Sequence, residues 1–282
     1  MKTALMLGTF DGVHTGHREV LSLPSEYRKI AVTFKKSPKS VISGIDESIT
    51  TFEDKCRILK EIGIDEIHPL EFSSVRNIKA TDFLKLLYSE YRPAVISCGF
   101  NYKFGQNGEG NTKVLEDFCN SYGIELRCVP PVESGGLTVS STLIRNYLKE
   151  GEIKRANQWL YEPFSFTAPV RHGDMRGRTI GFPTINQQYP KELVKIKFGV
   201  YKAAVLVDGK EYLGIANIGV RPTYPTDEVI SETFIKDFSG DLYEKNVKLI
   251  PLEFLRTEKK FNSLEDLKNQ IADDIKSIEG TV

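Results

Sequence analysis

Two histidines, His14 and His17, close the string Gly8-Thr9-Phe10-Asp11-Gly12-Val13-His14-Thr15-Gly16-His17. The string follows an apolar run at 4–7 and leads into a helix start, so it reads as a strand-to-helix corner. Glycines at 8, 12 and 16 let the backbone turn sharply and approach a ligand closely. Helix N–H groups and the helix dipole at such a corner favour an anion. The expected ligand is a nucleotide phosphate, held by the two imidazoles together with Gly8, Phe10, Asp11 and Gly16. A turn whose histidines only cap a helix is the plainer alternative. The spacing alone would also suit a zinc pair, but no cysteine or carboxylate cluster nearby completes one.

A second string with chemical potential runs His172-Gly173-Asp174-Met175-Arg176-Gly177-Arg178-Thr179-Ile180-Gly181-Phe182-Pro183-Thr184-Ile185-Asn186. Its glycines, Gly177 and Gly181 among them, permit close approach to phosphates. The Thr184 hydroxyl and Asn186 amide oxygen suit a hard Mg²⁺ ion that keeps several waters. Without a Gly-Lys-Ser/Thr ending, it is no Walker loop. Two shorter stretches add to the first half. Asn101, in Gly99-Phe100-Asn101, follows a strand end, and Ser140, Ser141 and Thr142 open a helix with Arg145 one turn on. Those hydroxyls are either N-caps or phosphate ligands. Glu232 lies in a strand of alternating character, where a glutamate facing solvent is the ordinary reading.

Up to about residue 160, strand-like runs at 4–7, 30–34, 94–98 and 124–129 alternate with helical patterns at 52–62, 80–91 and 112–122. Such alternation predicts a doubly wound α/β parallel sheet, with ligands at the carboxyl ends of its strands. Two further helices are predicted at 141–149 and 152–160. Beyond Pro163 the texture changes to strands at 200–207, 211–218, 229–235 and 247–254, with an Asp208-Gly209 hairpin signal. Short strands without intervening helices predict an antiparallel barrel. A helix at 263–278 follows, opened by Ser263 with Asp266 three residues on. The expected domains are 1–160 and 161–282.

The 282 residues carry 38 basic and 38 acidic side chains, so no net field draws the chain to nucleic acid or to a membrane. Cysteines 56, 98, 119 and 128 form no C-x-x-C and read as free thiols of a reducing compartment. No apolar run approaches membrane length, so the expected location is the cytoplasm.

The first half resembles the nucleotidylyl transferases with their H-x-G-H signature, and more closely the adenylyltransferase module of bacterial bifunctional riboflavin kinase/FAD synthetases. The second half resembles riboflavin kinases through Pro183-Thr184-Ile185-Asn186, Asn217-Ile218-Gly219-Val220-Arg221-Pro222-Thr223 and Ser231-Glu232-Thr233-Phe234. The resemblance implies a six-stranded barrel, and phosphorylation of riboflavin to FMN there, then adenylylation of FMN to FAD in the first half. Both steps use ATP with Mg²⁺. It further implies that His14 and His17 hold the ATP phosphates, Asn101 contacts the nucleotide, and Ser140, Ser141, Thr142 and Arg145 bind phosphate. In the kinase half, Thr184 and Asn186 would take the metal. Asn217 and the loop residues Gly177, Gly181, Phe182 and Pro183 would line the substrate site, and Glu232 would be the general base.

Three departures stand out. The helix after His17 is cut short by Pro24, the family's Phe-Asp-Pro-His-Pro stretch reads Phe34-Lys35-Lys36-Ser37-Pro38, and Phe234 replaces a common histidine. The first two leave open a single-activity enzyme or a preference for reduced flavin, and with Glu232 intact the third reads as a packing change. A flavin-sensing RNA-binding regulator is the rival from another class, disfavoured by the neutral charge and by Glu232.

Overall fold

A computed structural model describes residues 1–173, 177, 181–220, 228–261 and 263–279. Of the strings above, Asp174, Met175, Arg176, Arg178, Thr179, Ile180, Arg221, Pro222 and Thr223 lie outside the described residues. The chain forms two compact units, Met1–Ile144 with Trp159–Tyr161, and Arg145–Gln158 with Glu162–Val282.

The first unit runs β1 (Lys2–Leu7), α1 (Thr15–Leu21), β2 (Tyr27–Phe34), α2 (Pro38–Ser43), α3 (Phe52–Glu61), β3 (Glu66–Leu70), α4 (Phe72–Val75), α5 (Ala80–Tyr91), β4 (Val95–Gly99), α6 (Thr112–Tyr122) and β5 (Glu125–Val129). A short hairpin, β6 (Glu133–Ser134) and β7 (Leu137–Thr138), precedes α7 (Ser141–Glu150). The five strands pair in parallel in the order β3-β2-β1-β4-β5. Side chains alternate across β1. Leu5 and Leu7 pack with Phe83, Leu84, Leu87, Leu115 and Phe118 of α5 and α6, and Ala4 and Met6 pack with Val20, Leu21, Ile58 and Leu59 of α1 and α3. Both faces are therefore covered, the arrangement that a parallel sheet requires.

In the second unit α8 (Ile153–Asn157) precedes the strands β8 (Phe166–Arg171), β9 (Thr184–Gln188), β10 (Gly199–Val207), β11 (Lys210–Val220), β12 (Val229–Ile235) and β13 (Asn246–Arg256), and α9 (Leu264–Glu279) follows them. The strands close into a barrel in the order β10-β11-β12-β9-β8-β13. Asp208 and Gly209, at φ +49° and +79°, make the hairpin turn between β10 and β11, as a two-residue primed turn demands. Ser263 Oγ accepts from the Asp266 amide at 3.1 Å and so caps α9.

Helix α8 packs on β13. Ile153 and Ala156 are buried, Lys154 pairs with Glu253 at 2.8 Å, and the Lys197 amide donates to the Leu148 carbonyl at 3.2 Å. A fragment spanning 145–282 should therefore resist denaturant better than one spanning 160–282. Losing the packing of Leu148 and Ile153 is expected to cost about 3 kcal/mol. Equal unfolding midpoints for the two fragments would show that 145–158 add nothing to this unit.

Candidate active sites

In the parallel sheet, the chain builds outward from β1 through β2 to β3 on one side, then crosses back to β4 and β5 on the other. The carboxyl ends of β1 and β4 therefore form the topological switch point, where open α/β sheets bind ligands. The loop 8–14 leaves β1 at that place, and Phe100 and Asn101 leave β4 beside it, since Leu7 pairs with Cys98. The register thus brings together two motifs far apart in sequence.

The loop is tightly built. Phe10 and Val13, both fully buried, hold φ at +50° and +39°, a conformation that costs strain in residues with a side chain. A Cβ on Gly8 would stand 2.8 Å from the Phe10 ring, so only glycine fits there. His14 is the N-cap of α1, its Nδ1 accepting from the His17 amide at 3.3 Å. The two imidazoles stack with centroids 3.6 Å apart, and the Phe10 ring meets His17 edge-on at 5.4 Å. His17 Nδ1 is buried without a hydrogen-bond partner. Burial, then the charges of His14 and Lys55, hold His17 well below the ordinary imidazole range. His17 therefore stands neutral near pH 7, with one N–H to donate.

The remaining residues expected in this half divide by what they touch. Asp11 Oδ1 accepts from the Ile49 amide at 2.7 Å, so this carboxylate anchors the loop. Ser140 Oγ accepts from the Leu143 amide at 3.2 Å and caps α7, while Ser141 Oγ donates to the Asp11 carbonyl at 3.0 Å. Gly16 lies against the same segment, where a Cβ would crowd the His14 ring at 3.2 Å and stand 3.8 Å from the Val139 carbonyl oxygen. Residues 139–141 therefore border the histidine loop. Thr142 follows on α7, and Arg145, one turn on, begins the second unit. Lys35 and Lys36, the departures in the next segment, pair with Glu71 at 2.8 Å and Asp46 at 3.0 Å.

On the barrel, strand register assembles the site. Glu232 on β12 sits opposite Asn186 on β9 and Asn217 on β11, which makes one row across three strands. Phe234 sits opposite Thr184 in the next row. Burial alternates along β12. Val229, Ser231, Thr233 and Ile235 fill the interior, so Glu232 and Phe234 share the outer face. Both amide oxygens of the row, Asn186 Oδ1 and Asn217 Oδ1, are buried without a partner. Buried polar atoms are ordinarily satisfied, so two orphans flanking one carboxylate mark a place built for something else. Gly177 backs the site, where a Cβ would collide with the Phe182 carbonyl oxygen at 2.3 Å. Phe182 packs edge-on against Phe234 at 5.6 Å, which accounts for an aromatic residue at 234.

Among the described residues no group of three His, Cys, Asp or Glu side chains could hold a metal. The unpartnered Asn186 oxygen and the Thr184 hydroxyl are neutral oxygen donors, and they fit Mg²⁺, which takes few protein ligands and keeps its waters. Two cavities flank Thr184. One, of about 720 Å³, is lined by Glu232, Asn217, Ile215, Phe234 and residues of α9. The other, of about 220 Å³, is lined by Pro183, Phe238, Asp241 and Tyr243.

Three residues in or beside these sites carried no local signal. Lys55 is buried beneath the histidine loop, Glu258 accepts from Asn217 Nδ2 at 3.1 Å, and Arg256 ties β13 to Asp274 of α9 at 2.8 Å. Each is fixed by a partner distant in sequence, which local patterning does not reveal.

Fold and sites together define a two-module transferase. The FAD synthetase family profile matches residues 1–143 and the riboflavin kinase family profile matches residues 160–282. A Listeria monocytogenes protein named bifunctional riboflavin kinase/FMN adenylyltransferase is 32% identical over 285 residues, covering 96% of this chain and 89% of that one. The Escherichia coli K12 protein of the same name is 34% identical over 282 residues, covering 96% and 90%. A crystal structure from Streptococcus pneumoniae, described as a macrolide-efflux protein, superimposes with a TM-score of 0.90 at 29% identity, covering 100% of this chain and 94% of that one. The chain belongs to the bifunctional riboflavin kinase/FMN adenylyltransferase family, with the adenylyltransferase in its N-terminal half and the kinase in its C-terminal half. Among the described residues no helix is long and apolar enough to cross a membrane.

Proposed function

We propose that each half works through the side chains assembled above. In the barrel, riboflavin occupies the 720 Å³ cavity with its 5′-hydroxyl toward Glu232, and ATP approaches through the 220 Å³ cleft on the other side of Thr184. Glu232 takes the hydroxyl proton as the oxygen attacks the γ-phosphate, and ADP leaves. Donor and acceptor on opposite sides of one hydroxyl suit an in-line displacement, which needs little beyond positioning and charge neutralisation. Thr184 and Asn186 would hold Mg²⁺, which when bound neutralises charge on the phosphates. The row Asn186–Glu232–Asn217, with its two unpartnered amide oxygens, carries this reading.

In the sheet, ATP lies along the loop 8–17 with its phosphates against His14, His17 and the start of α7, and Asn101 contacts the nucleotide. An FMN phosphate oxygen attacks the α-phosphate, and pyrophosphate leaves as FAD forms. The neutral His17 imidazole, donating an N–H group, acts on the charge that grows in the transition state. The four cysteines are free thiols, which supports work in the reducing cytoplasm.

The test is direct. Purified protein is incubated with riboflavin, ATP and Mg²⁺, and flavins are resolved by chromatography over time. FMN should appear first and FAD after it. The assay is repeated with dithionite-reduced flavin, because Lys35 and Lys36 alter a segment near the first site. FMN without FAD in either redox state would reduce the reading to a kinase alone, and neither product would defeat it.

A further inference from the structure

Lys55 lies on α3, only 6% exposed. An ammonium is costly to bury unless every N–H finds an acceptor. Its Nζ donates to the Thr9 carbonyl at 3.1 Å, Thr33 Oγ1 at 3.2 Å and the Phe34 carbonyl at 2.7 Å. The Thr33 hydroxyl in turn donates to the same Thr9 carbonyl at 2.9 Å. Three N–H groups meet three acceptors, and a neutral amine, with two, would leave one unserved. Two of those acceptors end β2, while the third lies in the histidine loop. The residue after Thr9 is Phe10, whose ring rests on His17. Sequence distance hides this link, since Thr9 and Lys55 stand 46 positions apart.

We propose that Lys55 is a positioning residue of the adenylylation site, clamping the Thr9 carbonyl to the end of β2 and so fixing where the His14–His17 pair stands. The proposal rests on the reading of loop 8–17 as the ATP phosphate site. Side-chain charge reinforces the geometry. Burial brings the Lys55 ammonium down to about 8, opposed by the Asp11 carboxylate, and its positive charge adds to that of His14 in holding His17 neutral. Around His17 stand His14, stacked on it, Phe10 edge-on, and Lys55 acting through its charge. Removing the ammonium should therefore loosen the loop and let His17 accept a proton more readily.

The test uses the full chain carrying Lys55→Met, of similar length without charge. Three quantities are read from one preparation: FAD formation from FMN, riboflavin phosphorylation, and the titration of the His17 ring by NMR. Expected are a fall in kcat for FAD formation of tenfold or more, with KM for ATP changed less, and an upward shift of the His17 midpoint. Riboflavin phosphorylation stays within twofold of wild type. FAD formation within twofold of wild type, or an unmoved His17 midpoint, would overturn the proposal. If Lys55→Met unfolds the sheet, Thr33→Val decides, because it keeps the ammonium and removes the hydroxyl between it and Thr9. A threefold or larger loss of kcat with the His17 midpoint in place supports the clamp, and a wild-type kcat rejects it. His17→Ala separates the two levels. Full FAD formation in that variant defeats the site itself, whereas loss of FAD formation in His17→Ala beside wild-type FAD formation in Lys55→Met defeats only the clamp.

Discussion

Glu232→Gln should lower FMN formation by about 10²–10⁴-fold, the usual loss when a general base is removed, while the same chain converts supplied FMN to FAD at the wild-type rate. Glutamine keeps the size and shape of the side chain, so the row from Asn186 to Asn217 stays filled. The neighbours that seal the barrel interior, Ser231 and Thr233, hydrogen-bond each other at 3.0 Å and do not depend on position 232. A loss confined to the kinase step therefore reports chemistry and not unfolding. Kinase activity within threefold of wild type would remove Glu232 from the mechanism.

The reciprocal experiment is His17→Ala. Adenylyl transfer puts negative charge on the α-phosphate and on the departing pyrophosphate, and a preorganised donor at that place acts mainly on the transition state. FAD formation should fall by about 10² or more, the magnitude seen when one such donor is deleted. His14 is fixed at its own place, its Nδ1 accepting from the His17 amide at 3.3 Å, so its remaining ring nitrogen does not move into the position that the His17 ring leaves. Riboflavin phosphorylation should persist, since the kinase row lies on other strands. Both oxidised and reduced flavin belong in the assay. A variant that matches a competent wild type in either state would show that the ring does not grip phosphate.

The parts that sequence made legible were those written locally. Asp208-Gly209 demanded a primed turn and made one, and Ser263 capped the last helix from the expected spacing. The alternation of strands and helices gave the parallel sheet with both faces covered. Other elements were hidden for physical reasons. Strand β3 carries His68 and Pro69, which argue against a strand, and it survives because it is the edge of the sheet. Strand β9 is Thr-Ile-Asn-Gln-Gln, polar because its Thr184 and Asn186 face Phe234 and Glu232 on the outer side and because Gln187 donates inside the barrel to the Ala168 and Val247 carbonyls at 2.8 Å. Strand β8 alternates buried and exposed residues along its whole length, but its six residues include Pro169, which speaks against a strand. At the sites, motif residues were visible, but Lys55 and Glu258 were not, since each acts through a partner about 40 positions or more away.

The histidine loop has one more tether. The Thr15 amide donates to the Trp159 carbonyl at 2.9 Å, and His14 forms a β-bridge with Leu160. Between the loop and that tether lie strands β2 to β5 of the parallel sheet, and then residues 145–158, which belong to the other unit. A ribosome makes the chain in one direction, so the loop is among the first segments to emerge and among the last to be fastened. The histidine loop is therefore expected to take its final shape only after residues 145–158 of the second unit have been made. The order of synthesis thus ties the first unit to a segment of the second, whatever the independence of the two halves as catalysts.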